Sequence, residues 1–188
     1  VFAARAISLA CAVALDMGRA TAEPDWQARA ALLTPIAKAY GTDVGMNVAE
    51  TCVQVHGGMG YIEETGAAQF YRDVRVAAIY EGTNGIQAMD LVGRKMMDGG
   101  AAACRLLQEI EDDAAAARDV LPDLAEDVWT AAETLREATE WLVAQGAQDR
   151  NAGAVAYLRA FARVLGGHFH LKAAIAEGGG GSRSALAG

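Results

Sequence analysis

Apolar residues recur along most of this chain at the three-to-four-residue spacing of helices that turn one face to a core. Over residues 1–19, Phe2, Ala6, Leu9, Ala10 and Val13 keep that spacing and predict a helix, closed by Gly18 and the polar stretch Thr21-Ala22-Glu23-Pro24-Asp25. A longer helix is predicted over residues 26–55, with Leu32, Leu33, Ile36, Ala39, Tyr40, Val44, Val48 and Cys52 on one broad apolar stripe. Gly41 and Gly45 sit four apart in its middle and lower its helix propensity, which points to close helix packing or to the approach of a ligand. Gly57, Gly58 and Gly60 fall within four residues, so 56–66 reads as a loop. A short helix over 67–71, a connecting segment over 73–80 and a helix from Thr83, its N-cap, to about Met97 follow. Asp98-Gly99-Gly100 ends that helix and marks an internal boundary.

Three more helices are predicted over 101–118, 121–146 and 150–176, with Pro122 in the first turn of the second. Trp129, Leu135, Ala138, Trp141 and Leu142 suggest one buried stripe on it, and residues 178–188, which begin with four glycines, read as a flexible tail. The expected fold class is therefore all-α: an antiparallel helical bundle over 1–98 followed by a helical appendage over 99–177.

Composition supports this picture. Of 188 residues 53% are hydrophobic and only 3 are proline, with 6% aromatic, which favours helix over sheet. The net charge of −8 is uneven: residues 98–188 carry 14 acidic and 8 basic side chains, residues 1–97 carry 10 and 8. An acidic chain lacks the basic face that nucleic-acid binding needs, and the surplus fits a solvated helical face. Cys11, Cys52 and Cys104 are odd in number and far apart, which fits reduced thiols and a cytoplasmic setting rather than a disulfide framework. No apolar run is long enough to span a bilayer. His56, His168 and His170 have no partner spacing that would make a metal site.

The chemistry is concentrated in two segments. Gln54-Val55-His56-Gly57-Gly58-Met59-Gly60-Tyr61 is a glycine-rich turn, and about twenty residues later comes Tyr80-Glu81-Gly82-Thr83-Asn84-Gly85-Ile86-Gln87, with a carboxylate just before a helix start. The glycines are not a P-loop, because no Lys-Ser/Thr pair follows them. Taken alone, Glu81 reads as an acidic residue stabilised near a helix N-terminus. Together with Ile36-Ala37-Lys38-Ala39-Tyr40 and Tyr71-Arg72-Asp73, in this order and spacing, these segments resemble the C-terminal helical domain of FAD-dependent acyl-CoA dehydrogenases. The resemblance runs from about Ala3 to Met97. The later helices are similar, less specifically, to the appendage that follows the catalytic core in some bacterial members, including those acting on 3-methylmercaptopropionyl-CoA.

The resemblance implies α,β-desaturation of an acyl-CoA thioester, with Glu81 taking the α-proton while hydride leaves the β-carbon for FAD. A desolvated Glu is a stronger base than one in water, which suits that role. It also implies that the Glu81 backbone N–H helps bind the thioester carbonyl, that Gly82 allows close approach and that Tyr80 lines the acyl cavity. Gln54, Gly57 and Gly58 match the motif that contacts the adenosine end of FAD across a subunit interface. Thr83 matches a residue touching FAD; two positions on, where the family often has Gln, stands Gly85, leaving that contact to Asn84 or to a backbone amide. Arg72-Asp73 matches a recurrent pair and is expected to form a partly buried ion pair holding the loop before Glu81.

Implied partners are an acyl-CoA substrate, an electron-transferring flavoprotein as acceptor, and further copies of the chain in a homodimer or homotetramer. The family's N-terminal helical domain and middle β-domain have no counterpart here, so the isolated chain is expected to be inactive. Two other readings stand beside this one. One is a fragment of an acyl-CoA oxidase, which passes electrons to oxygen; the other is a non-catalytic helical oligomerisation module.

Overall fold

A computed structural model describes residues 1–178 of the chain, and among them every regular element is helical. The expected tail lies outside the described residues from 179 onward. Helix α1 (Phe2–Thr21) ends at Ala22, which adopts the left-handed conformation, and Pro24 opens α2 (Pro24–His56) at the position where its missing N–H costs nothing. Helix α2 runs for 33 residues, about 50 Å at the α-helical rise, and passes through a buried Pro35 without ending. The remaining helices are α3 (Gly58–Tyr61), α4 (Ala67–Ala77), α5 (Asn84–Val92), α6 (Ala101–Ala117), α7 (Pro122–Ala144) and α8 (Ala147–Ala176). No helix among the described residues is long and apolar enough to cross a membrane.

Several local expectations are corrected. The glycine-rich segment is not a loop throughout: Gly57 breaks α2 at φ 59°, after which Gly58–Tyr61 forms one helical turn and Glu63–Thr65 a 3-10 turn. Gly60 is the reason that turn packs down, because a Cβ there would lie 2.3 Å from the Val53 carbonyl oxygen. Helix α4 extends to Ala77, through the segment expected to be a connection. Helix α5 stops at Val92, where Gly93 leaves helical geometry, and a separate 3-10 turn covers Arg94–Met96. Asp98 then caps α6 by accepting from the Gly100 and Ala102 amides at 2.9 Å each.

One hydrophobic core joins elements from both sides of Gly100. Ile7 of α1, Leu32, Leu33 and Ile36 of α2, Leu91 of α5, Leu107 and Ile110 of α6, and Phe161 and Leu171 of α8 all belong to it. Burying each such side chain is worth about 1.5–3 kcal/mol, so helices α6 to α8 are integral to the stability of the bundle. Gly45 explains itself here: a Cβ would meet the Val74 methyl at 2.9 Å, so the glycine permits close packing of α2 on α4. The core-facing side of α1 differs from the expected one. Ile7, Cys11, Ala14 and Gly18 are buried, whereas Leu9 and Val13 are 62% and 55% exposed. On α7, Leu135 and Leu142 are buried and the half-buried Trp129 packs against the core with the Arg118 guanidinium over its ring, yet Trp141 is 58% exposed.

Charged pairs tie the later helices to α2 and to one another. Arg29 of α2 donates through both terminal nitrogens to Glu109 of α6, and this hydrogen bonding holds the Glu109 carboxyl below its usual range. Arg136 of α7 forks onto Glu111 of α6 at 2.9 and 2.6 Å. Between α6 and α8, the buried His168 meets Asp113 at 2.8 Å, and Lys172 donates to the same Asp113 oxygen at 2.9 Å. With Asp113 ionised, neutral His168 donates from Nε2, which leaves Nδ1 a buried acceptor with no partner. Protonation would create a buried Nδ1–H with no acceptor. Burial accordingly pushes the His168 pKa down, with nearby Lys172 assisting and the carboxylates of Asp113 and Glu109 opposing.

A folded-state pKa below the unfolded one places the stabilisation on the alkaline side. The His168 contribution is present above the ordinary histidine value of 6.5 and is lost as pH falls through the folded value. Urea midpoints measured from pH 8 to pH 5 are expected to fall, and His168→Leu should flatten that dependence; an equal slope in the variant would assign the effect elsewhere.

Candidate functional site

The chain between α4 and α5 turns through two consecutive residues in the left-handed region, Glu81 at φ 54° and Gly82 at φ 86°. Gly82 does so at no steric cost; for Glu81 the conformation costs about 1–2 kcal/mol. Both carbonyls of the turn are tied down. Gln87 Nε2 donates to the Glu81 carbonyl at 2.9 Å, and Lys38 Nζ of α2 donates to the Gly82 carbonyl at 2.7 Å. Thr83 then serves as N-cap of α5, its hydroxyl accepting from the Ile86 amide at 3.4 Å. Tyr80, Glu81 and Thr83 have exposed side chains, so the turn is rigid in its backbone and open on its outer side.

Asn84 is more tightly held than any neighbour. Its Oδ1 accepts from Lys38 at 2.9 Å, and its Nδ2 donates to Asp43 Oδ1 at 2.7 Å and to Thr42 Oγ1 at 2.9 Å. The carboxamide is thus spent within the chain, fastening the start of α5 to the middle of α2. The Thr83 side chain, which caps the helix, stands exposed on the outer side. Lys38, Thr42, Asp43 and Gln87 were not singled out from sequence as site residues, although Lys38 lies within one of the four recurring segments. Nothing in spacing alone announces that a lysine sixteen residues before a glycine turn supports a different turn.

Gln54, Gly57 and Gly58 lie at the far end of α2. Lys38 and Gln54 are sixteen positions apart on one helix, about 24 Å, so the structure does not bring the two groups of candidate residues together within one chain. Gly57, at φ 59° and ψ −141°, occupies backbone space that other residues avoid. Gly58 has no such need, and a Cβ there would meet nothing within 4 Å, so the space beside it is open. Next to them is a cleft of about 420 Å³ lined by Glu50, Val53, Gln54, Tyr61, Tyr71 and Arg72 among others. Arg72 does not pair with Asp73. It donates to Glu63 at 2.7 Å, and both side chains are exposed, because adjacent residues on α4 point in different directions. The Arg72 hydrogen bond keeps the Glu63 carboxyl below its usual range. No group of three His, Cys, Asp or Glu side chains among the described residues could hold a metal ion.

The model of the acyl-CoA dehydrogenase C-terminal domain matches residues 1–97. The chain belongs to the acyl-CoA dehydrogenase family. A second model, described as acetyl-CoA dehydrogenase C-terminal like, matches residues 106–183. The 3-methylmercaptopropionyl-CoA dehydrogenase of Ruegeria pomeroyi is 41% identical over 168 residues, which is 82% of this chain and 28% of that protein. A subunit of the caffeyl-CoA reductase–Etf complex of Acetobacterium woodii, CarC, is 43% identical over 58 residues, 31% of this chain and 15% of its own length. Among solved structures, Caenorhabditis elegans ACDH-11 in complex with C11-CoA superposes with a TM-score of 0.84 at 19% identity, covering 98% of this chain and 32% of that one. The chain therefore spans about a third or less of the length of these relatives. The all-α architecture expected from sequence is shared with the superposed part of that structure.

The left-handed Glu81 makes a stability prediction independent of any activity. Glu81→Gly removes the steric cost and adds unfolded-state entropy, so the net change is expected between zero and about 1 kcal/mol of stabilisation. Urea denaturation of the chain measures it. A loss of more than about 1 kcal/mol would mean that the Glu81 side chain itself supports the turn.

Proposed function

We propose that this chain supplies the base-bearing part of an FAD-dependent acyl-CoA dehydrogenase that desaturates an acyl-CoA thioester between its α and β carbons. The observation that carries the reading is the strained Glu81-Gly82 turn, exposed on its outer side and held from behind by Lys38, Asn84 and Gln87. Conformational cost of this kind persists where the surrounding structure over-determines it, and it is concentrated at functional sites.

In the proposed reaction the Glu81 carboxylate takes the α-proton, and its backbone N–H is directed at the thioester carbonyl, where negative charge develops. Tyr80 borders the acyl group and Gly82 keeps the approach clear. FAD, when bound, supplies the acceptor for the hydride leaving the β-carbon. The residues present fit such a cofactor as two separate half-sites. Thr83 and the first amides of α5 would face its flavin end, and Gln54, Gly57 and Gly58, with open space beside Gly58, would face its adenosine end. Their placement at the middle and at the end of α2, roughly 16–24 Å apart along the helix, supports an arrangement in which the second half-site comes from another copy of the chain, in a homodimer or homotetramer.

Electron-transferring flavoprotein is the proposed acceptor, a reading supported by the naming of one relative as part of an Etf complex. In this reading the protein acts in fatty-acid or acyl-thioester metabolism in the cytoplasm. The 188-residue chain alone is expected to bind FAD weakly and to be inactive, because Glu81 is exposed in it and desolvation of the base must come from segments it does not contain.

The deciding experiment is anaerobic titration of the full-length protein carrying this chain with 3-methylmercaptopropionyl-CoA and butyryl-CoA while the flavin absorbance is followed. Bleaching is expected in the wild type, with a loss of at least 10²-fold in rate for Glu81→Gln, the scale of general-base contributions. Bleaching indifferent to Glu81 would overturn the assignment of the base.

A further inference from the structure

We infer that Lys38 is a positioning residue for Glu81, and that Asp43 extends this support to the C-terminal helix α8; the inference rests on the reading of Glu81 as the base. A left-handed glutamate followed by a left-handed glycine does not hold its shape unaided. The turn is fixed at its two carbonyl oxygens, one by Gln87 from α5 and the other by the Lys38 ammonium from α2. Gln87 belongs to α5, the helix that the turn itself initiates. Lys38 instead stands on the long α2, whose Ile36 and Ala39 are buried in the core, and so it ties a carbonyl of the turn to a second, separate helix.

The ammonium is bridged to a second anchor. It donates at 2.9 Å to Asn84 Oδ1, and the Asn84 amide donates in turn to Asp43 Oδ1 at 2.7 Å. A positive charge on one side of the carboxamide and a negative charge on the other polarise it in the same sense, which strengthens both hydrogen bonds and fixes the amide orientation. The other Asp43 oxygen lies 3.5 Å from Arg159 of α8. Lys38, Asn84, Asp43 and Arg159 thus form a continuous polar chain from the base-bearing turn to the helices that follow Gly100. By this route the C-terminal helices help to aim Glu81, although none of their side chains need touch substrate.

The test compares Lys38→Met, Lys38→Arg and Asp43→Asn with wild type and Glu81→Gln in the full-length protein carrying this chain. It measures kcat and KM with 3-methylmercaptopropionyl-CoA and butyryl-CoA, together with hydrogen exchange of the peptides covering 79–87. Lys38→Met is expected to lower kcat by about ten- to a hundredfold, the scale of a misplacement near 1 Å, with a much smaller change in KM. Faster exchange over 81–84 should accompany it, and Lys38→Arg should recover part of both. Wild-type kcat and exchange in Lys38→Met, beside an inactive Glu81→Gln, would overturn the positioning role and leave the base intact. An active Glu81→Gln would sink the base instead, and exchange alone would then decide whether Lys38 holds the turn. Should Lys38→Met fail to fold, Asp43→Asn removes only the charge behind Asn84 and carries the same comparison: unchanged kcat and exchange there would overturn the inference.

Discussion

Everything distinctive in this structure hangs on α2 being one continuous rod. Its middle presents Lys38, Thr42 and Asp43 to the turn before α5, and its end presents Gln54 and the break at Gly57. Because the two places share one helix, their separation cannot vary much without breaking backbone hydrogen bonds along the way. That fixed length sets how far apart the two glycine-dependent turns stand.

The second structural theme is the union of the helices on either side of Gly100. Phe161 and Leu171 of α8 pack in the same core as Ile7 and Ile36, and Arg29 of α2 forks onto Glu109 of α6. A later segment attached only by surface charges would be free to swing. One sharing a dry core is a structural part of the bundle, which is why two family models meeting near residue 100 correspond to a single continuous interior.

Much of this was legible in the order of residues. The periodic apolar stripes located the five longest helices to within a few residues, because a long amphipathic pattern is averaged over many turns. Thr83 as an N-cap followed from its chemistry alone. What failed was finer. Leu9 and Val13 keep helical spacing, yet Ile7, Cys11 and Ala14 face the core, since alanine-rich helices carry two plausible apolar sides and only the neighbouring helices choose. Trp141 is apolar by composition and exposed by position. Arg72 was paired with its sequence neighbour, whereas helix geometry sends it to Glu63, nine residues earlier across a turn. The Glu81 turn was recognisable as a site only through its resemblance to a family; its supports, Lys38 and Asp43, come from another helix and leave no local mark.

Asn84 carries a further chemical consequence. It is followed by Gly85, the neighbour that offers least steric hindrance when an asparagine side chain cyclises onto the next backbone nitrogen and loses ammonia. Hydrogen bonds between its carboxamide and Lys38, Ala39, Thr42 and Asp43, at a helix start, hold it away from that attack. Any copy in which the reaction does occur would place a new carboxylate against Asp43, and the link between α2 and α5 would become a repulsion. The hydrogen bonds that join α2 to α5 thus also protect the chemical identity of the residue that makes them.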